Sequence, residues 1–356
     1  MRALTDRLVR DAPDTVAPGS AAADTPPARV RLPVHPLSTG RLRAFQRIFS
    51  TDGAALLLAA DHGTTLAELL DSAAPELVGA RALTDARCAV VEALAPLVDG
   101  VVLEPAYGAP EVVARGLLPH DTALLVSAEC APRFDPASGI RISPLRAGWR
   151  AADARRLGAD GAKLLVYHRA DCALAVDMQR HIVETFVVEC ARHDLLSLVE
   201  CRTYPLPDET PAAFQALRAA MLLDGASELS GLGVDVVAVE WPGRRCDEAA
   251  ALALYERIDD ACDAPWLLTG TPDVDPTTFG RSVRLACGAG ASGAVVGRLV
   301  WQNGLVLPDG EWEHWLGPAR ARDARLIRAA VREHAQPWWA RYGGMPAAIG
   351  NGRVVP

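Results

Sequence analysis

GADGAKLLVYHRAD, residues 158–171, holds the unit on which the fold turns. A Gly-Ala-Asp turn leads into the apolar run AKLLVY (162–167), which closes on the polar pair His168 and Arg169. The run is continuously apolar rather than alternating, as a strand covered on both faces requires. CALAVDMQRHIVETFVVECARH (172–193) follows with helical spacing, and LLSLVE (195–200) is the next strand-like run.

The same rhythm extends in both directions. LLLAAD (56–61), GVVLEP (100–105) and ALLVSAE (123–129) precede it, and DVVAVE (235–240), PWLLTG (265–270) and GAVVGR (293–298) follow it. Helical segments such as PELVGARALTDARCAVVEALAPL (75–97) separate the runs. Eight βα units predict an α/β fold, a closed (β/α)8 TIM barrel, with residues 39–345 as one barrel domain. A doubly wound open sheet would take six of these runs and leave two without a place. Residues 1–38, rich in Ala, Pro, Asp and Thr, read as a flexible N-terminal arm, and residues 346–356 as a C-terminal tail. Trp301, Trp312, Trp315, Trp338 and Trp339 mark a helical extension after the eighth run, expected to pack on the barrel or to form an oligomer contact.

Half of the 356 residues are apolar and the formal net charge is −8, which argues against nucleic acid as a partner. No stretch is apolar for long enough to span a bilayer, and the first residues lack the apolar core of a signal segment. The eight cysteines have no CxxC spacing and fit reduced thiols in a cytoplasmic protein. A homo-oligomer without cofactor is expected, acting on a small anionic molecule. Among 36 basic residues there is one lysine, Lys163.

In such a barrel the polar residues at the C-terminal strand ends face the active site. They are Asp61 and His62 after the first run, Glu104 after the second, Glu129 after the third, and His168 and Arg169 after the fourth. Glu200 and Glu240 end the fifth and sixth, Thr269 and Gly270 the seventh, and Gly297 with Arg298 the eighth. The Thr-Gly turn and the Gly-Arg pair fall where barrels of this kind bind phosphate, through backbone amides and a guanidinium. Lys163 lies within the fourth run. Desolvated among cations it would be a neutral nucleophile, and paired with carboxylates such as Glu200 a counter-ion. His62, His168 and the glutamates are acceptable metal ligands in type. The first and fourth strands are nearly opposite in the ring, however, so no metal is expected.

GADGAKLLVYHRAD, DGVVLEPAYGAP, VDVVAVEWPG, PWLLTG and GASGAVVGRLVW, in this order, resemble the class I aldolases that cleave tagatose 1,6-bisphosphate and the related sulfofructose-phosphate aldolases. The resemblance runs from about Leu56 to Trp301. It implies a barrel that makes or breaks a carbon–carbon bond beside a ketone, with dihydroxyacetone phosphate as the shared product. Carried over by position, it implies site roles for Asp61, Lys163 and Glu200, and an anion-holding pair in Gly297 and Arg298.

One departure is chemical. In the family the sixth strand reads roughly D-x-x-K-V-E, and its lysine forms the Schiff base. Here it reads Asp235-Val236-Val237-Ala238-Val239-Glu240. The first strand also departs from the family's D-Q-R, with Asp61-His62-Gly63. Three readings follow. The nucleophile has moved to Lys163, with Asp61, Glu200, Glu240 or His168 in catalysis and Glu104, Glu129, Arg169, Thr269, Gly270, His62 and the Gly297–Arg298 pair holding substrate. Alternatively, an imine-free isomerase or lyase uses the glutamates and histidines, or the chain binds a sugar phosphate without turning it over.

Overall fold

Each apolar run becomes a strand. In chain order the computed structural model gives β1 (Ala55–Ala60), β2 (Gly100–Leu103), β3 (Ala123–Ser127), the two-residue β4 (Arg133–Phe134) and β5 (Arg141–Ile142), then β6 (Gly161–Tyr167), β7 (Leu196–Arg202), β8 (Val236–Glu240), β9 (Trp266–Thr269) and β10 (Gly293–Val296). The structure describes residues 37–135, 138–244, 246–305 and 316–344. Eight strands pair in parallel in the closed order β1-β10-β9-β8-β7-β6-β3-β2, while β4 and β5 form an antiparallel hairpin after β3. The fold is the (β/α)8 barrel that the sequence predicts.

The helices are α1 (Thr39–Ile48), α2 (Thr64–Leu70), α3 (Ala80–Leu94), α4 (Ala109–Ala114), α5 (Ala151–Arg156), α6 (Ala173–Arg192), α7 (Pro211–Gly231), α8 (Glu248–Ala261), α9 (Pro276–Gly288), α10 (Arg298–Leu305) and α11 (Pro318–His334). Side-chain caps start several of them: Ser38, Thr210, Asp247 and Asp275 each accept an amide of the first turn.

The pairing registers set the height of every interior side chain. Starting at Lys163 and stepping up one residue at each strand, the pairs Lys163–Leu198, Val199–Val237, Ala238–Leu267, Leu268–Ala294, Val295–Leu57, Leu58–Val101, Val102–Leu125 and Val126–Ala162 lead back to Lys163. That stagger places Lys163, Ala238, Val295 and Val102, from alternate strands, in one interior layer. Beneath it lies a layer of leucines, Leu57, Leu125, Leu198 and Leu267, all buried.

The N-terminal mouth is closed by α1. Phe45, Ile48 and Phe49 pack with the barrel interior, and Phe45 stacks on Trp338 at a centroid distance of 4.4 Å. Trp338 therefore floors the barrel together with α1, while Trp301 sits at the opposite end and donates from Nε1 to the Ala59 carbonyl at 3.0 Å. Trp312 and Trp315 lie outside the described residues, as do the N-terminal arm, except for Leu37 and Ser38, and the tail at 346–356.

One device is repeated at the floor. Asp99, Asp160 and Asp235 each precede a strand and accept the amide of the second residue of the neighbouring one, from Leu56, Leu124 and Ser197. Each carboxylate then pairs with an arginine: Arg332, Arg47 and Arg41 respectively. Replacing Asp235 by alanine leaves the Ser197 amide and hydroxyl without their buried acceptor, and a loss of about 2 kcal/mol in a denaturant melt is expected.

Candidate active site

The interior changes character above the leucine layer. Lys163 is 4% exposed, and its Nζ donates to Asp61 Oδ2 at 2.9 Å and Glu129 Oε1 at 3.0 Å, and lies 3.2 Å from Glu200 Oε2. The strand alternation brings these four together. Positions 57, 59 and 61 from β1, 125, 127 and 129 from β3, and 196, 198 and 200 along β7 all point inward. A buried ammonium held by three carboxylates is one that the fold has compensated for its desolvation.

The electrostatics differentiate the four groups. Burial alone would lower the amine, but Asp61, Glu129 and Glu200 outweigh it and hold Lys163 well above the ordinary lysine range. Burial pushes Glu129 up, and Lys163 reverses this only in part. Glu200 is buried too, yet Arg202 and Lys163 together bring it down to about 2. Asp61 is likewise lowered, because Lys163 and His62 overcome its desolvation. Glu129 is thus the carboxyl suited to carrying a proton, and its Oε2 is buried with no hydrogen-bond partner.

His62 stands beside this cluster as a neutral imidazole. Its Nδ1 is 3.8 Å from Asp61 Oδ1, and its ring lies edge-on to Trp301 at 5.3 Å. Burial lowers it to about 4; Asp61 opposes the shift, and Arg298, Lys163 and Arg202 add to it. Its carbonyl accepts from Nη2 of the buried Arg87 at 2.8 Å, which ties the loop after β1 to α3.

The other candidate residues divide. Glu104 and Glu240 face the mouth, but each is neutralised by an arginine, Arg146 at 3.0 Å and Arg218 at 3.1 Å. Thr269 is 4% exposed with an unpartnered hydroxyl, and Arg298 begins α10 with an unpartnered Nε. Both fit the anion-binding end of such a barrel. Gly270 does not add an amide there, because its N–H donates to the Val295 carbonyl at 3.0 Å and Leu299 fills the space at its Cα. Gly297 lies against the His62 ring.

His168 and Arg169 are placed elsewhere. His168 still donates its amide to the Arg202 carbonyl, but it lies an odd number of steps from the inward-facing Lys163, so alternation turns it out toward α7, and Arg169 follows beyond the end of β6. His168 Nε2 is 2.7 Å from Asp224 Oδ2 on α7. Arg169 pairs with Asp171 and Glu209 and donates to the Tyr204 carbonyl, bracing the loop after β7. His168, Asp224 and Glu228 could together reach a metal ion, but they lie against α7 and not beside Lys163.

Arg202 is the residue that the strand ends did not disclose. β7 runs two residues past Glu200, and Arg202 Nε donates to Glu200 Oε1 at 2.8 Å. The signal was present in the alternation Leu196, Leu198, Glu200, Arg202, which continues inward for one more step.

Residues 55–303 match the family model described as DeoC/LacD family aldolase. The chain belongs to this aldolase family. Tagatose 1,6-diphosphate aldolase 2 of Enterococcus faecalis is 25% identical over 329 residues, covering 86% of this chain and 97% of that protein. Tagatose 1,6-diphosphate aldolase of Listeria monocytogenes is 23% identical over 332 residues, covering 86% of this chain and 96% of the relative. Among solved structures, an archaeal fructose-1,6-bisphosphate aldolase with its catalytic lysine bound to a carbinolamine intermediate superposes with a TM-score of 0.53 at 19% identity, covering 82% of this chain and 99% of that one. Fructose-bisphosphate aldolase of Plasmodium falciparum gives 0.60 at 14%, covering 85% and 94%. These two structures share the fold.

Proposed function

We propose that this chain is an aldol-type carbon–carbon lyase or synthase acting on a phosphorylated or otherwise anionic ketose, with Lys163 working as an ammonium. The observation that carries this reading is the Lys163 cage, in which three carboxylates hold the amine protonated. An imine-forming lysine must present a neutral amine, and this setting opposes that. A protonated Lys163 instead donates hydrogen bonds to the oxygen where negative charge develops.

In the cleavage direction, Glu129 takes the proton of the hydroxyl on the carbon beyond the bond to be broken. The carbon–carbon bond then breaks, a new carbonyl forms on the leaving fragment, and the bonding pair passes into the ketone as an enediolate whose oxygen faces the Lys163 ammonium. Glu129 returns the proton to the enediolate carbon, and atoms and charge balance without an external reagent. The raised Glu129 and its unpartnered Oε2 suit this double duty. Arg298 and Thr269 are assigned to the anionic group of the substrate.

A second reading keeps the imine. Lys163 is the chain's one lysine, and it shares an interior layer with Ala238, the position of the family's Schiff-base lysine. Borohydride treatment in the presence of dihydroxyacetone phosphate separates the two by intact mass and peptide mapping. Turnover of a ketose phosphate with no reduced adduct is the expected result. A reduced adduct on Lys163 would replace the ammonium mechanism with a relocated Schiff base.

A further inference from the structure

We propose that Arg202 is a second anion-binding arm of this site, closing with Arg298 on the phosphoryl group of the substrate. The inference rests on the aldolase reading above and adds a residue that the family resemblance does not supply. Arg202 stands one inward step above Glu200 on β7, and its Nε is engaged by Glu200 Oε1. Arg202 forms no other hydrogen bond or ion pair among the described residues, so both Nη groups are open to a ligand. Its side chain is 18% exposed, within reach of the mouth but largely walled in. Across the barrel top, Arg298 follows Gly297, which lies against His62, and its Nε is buried without a partner.

Charge counting at the mouth points the same way. Glu104 and Glu240 have arginines of their own, Arg146 and Arg218. That leaves Lys163, Arg202 and Arg298 facing Asp61, Glu129 and Glu200. All three carboxylates gather on Lys163, and Arg298 has no ion-pair partner among the described residues. The two arginines also repel, since Arg298 is lowered by burial first and by Arg202 next. Two guanidiniums, each with unfilled donors, make a fork suited to a dianion, which would relieve their repulsion.

The register explains why Arg202 is tolerated in this chain. Glu200 pairs directly with Ala238 across β7 and β8. With alanine where the family has lysine, Glu200 lacks a cation from β8, and Arg202 supplies one from its own strand. A role confined to that compensation is the competing explanation, and the variants are chosen to separate the two.

Titration calorimetry with inorganic phosphate, on wild type, R202L, R298L and R202L/A238K, provides the test. Each single leucine variant is expected to weaken phosphate binding by about tenfold or more, given the strength of charge-assisted forks. A238K returns a cation to Glu200 but should not restore phosphate affinity to R202L. Unchanged affinity in R202L, full rescue by A238K, or a wild type that does not bind phosphate would each overturn the proposal. If R202L does not fold, R202K carries the same comparison, because it keeps the charge and loses the fork: weaker binding supports the clamp and equal binding overturns it. Phosphate binding lost on substitution alongside absent turnover would sink the aldolase reading and leave the clamp standing.

Discussion

Lys163→Met should reduce turnover by about a thousandfold or more, because on the proposed mechanism it removes the ammonium that faces the developing oxyanion. The same change leaves Asp61, Glu129 and Glu200 together without their shared cation. Breaking a buried pair from one side typically costs about 3–5 kcal/mol, so the variant should also melt earlier than wild type. The two losses can be told apart by pH. Carboxylates deprived of Lys163 take up protons more readily, so the stability deficit should shrink as the pH falls through the ordinary carboxylate range, while activity stays low. Lys163→Arg is the informative companion. It keeps a cation for the three carboxylates and should recover much of the stability. A wild-type rate in Lys163→Met would remove Lys163 from the chemistry, whereas activity retained in Lys163→Arg would exclude an imine and keep the cationic role.

The barrel was legible because buried parallel strands have to be continuously apolar, and all eight runs carry that pattern. The Lys163 cluster was legible for a related reason. Asp61, Glu129 and Glu200 close their runs in phase with the inward alternation, so reading the strand ends was enough to collect them. His168 and Arg169 were gathered because they close the run, but they lie elsewhere: His168 is out of phase with the inward-facing Lys163 and points to α7, and Arg169 lies beyond the strand end. Arg202 was missed by the opposite error, the run having been closed at Glu200 two residues before the strand ends. The floor was hidden for another reason. The apolar face of α1 shows that the helix must be covered, but nothing in its spacing says that Phe45 and Ile48 cap a barrel mouth together with a tryptophan almost three hundred residues away. Nor does α3 announce that Arg87 will reach the His62 carbonyl, since a helical arginine normally reads as surface.

Acid should destabilise the protein in two separable steps, while the acid limb of turnover follows a third group. His62 titrates near 4 in the fold against an ordinary 6.5, so between these values the unfolded chain binds the extra proton and stability falls with the pH. At about 1.4 kcal/mol per unit, that step amounts to about 3 kcal/mol. Glu200, depressed to about 2 from 4.5, contributes a second loss of about 3 kcal/mol that begins only below pH 4.5. Glu129 works in the other sense: raised in the fold, it binds its proton before the unfolded chain does and offsets part of the first step. His62→Asn should abolish the loss between pH 6.5 and 4 and leave the lower one intact, as read from denaturant melts at a series of pH values. Parallel curves for wild type and variant across that window would mean that His62 is not held as a buried neutral ring. The rate should respond differently. His62 stays neutral throughout the neutral range, so its protonation cannot shape the profile there, and the acid limb of turnover should follow Glu129, whose ionised form must accept the substrate proton. An acid limb that survives unchanged in His62→Asn excludes the imidazole as its source, and loss of turnover in Glu129→Gln is the expected companion result.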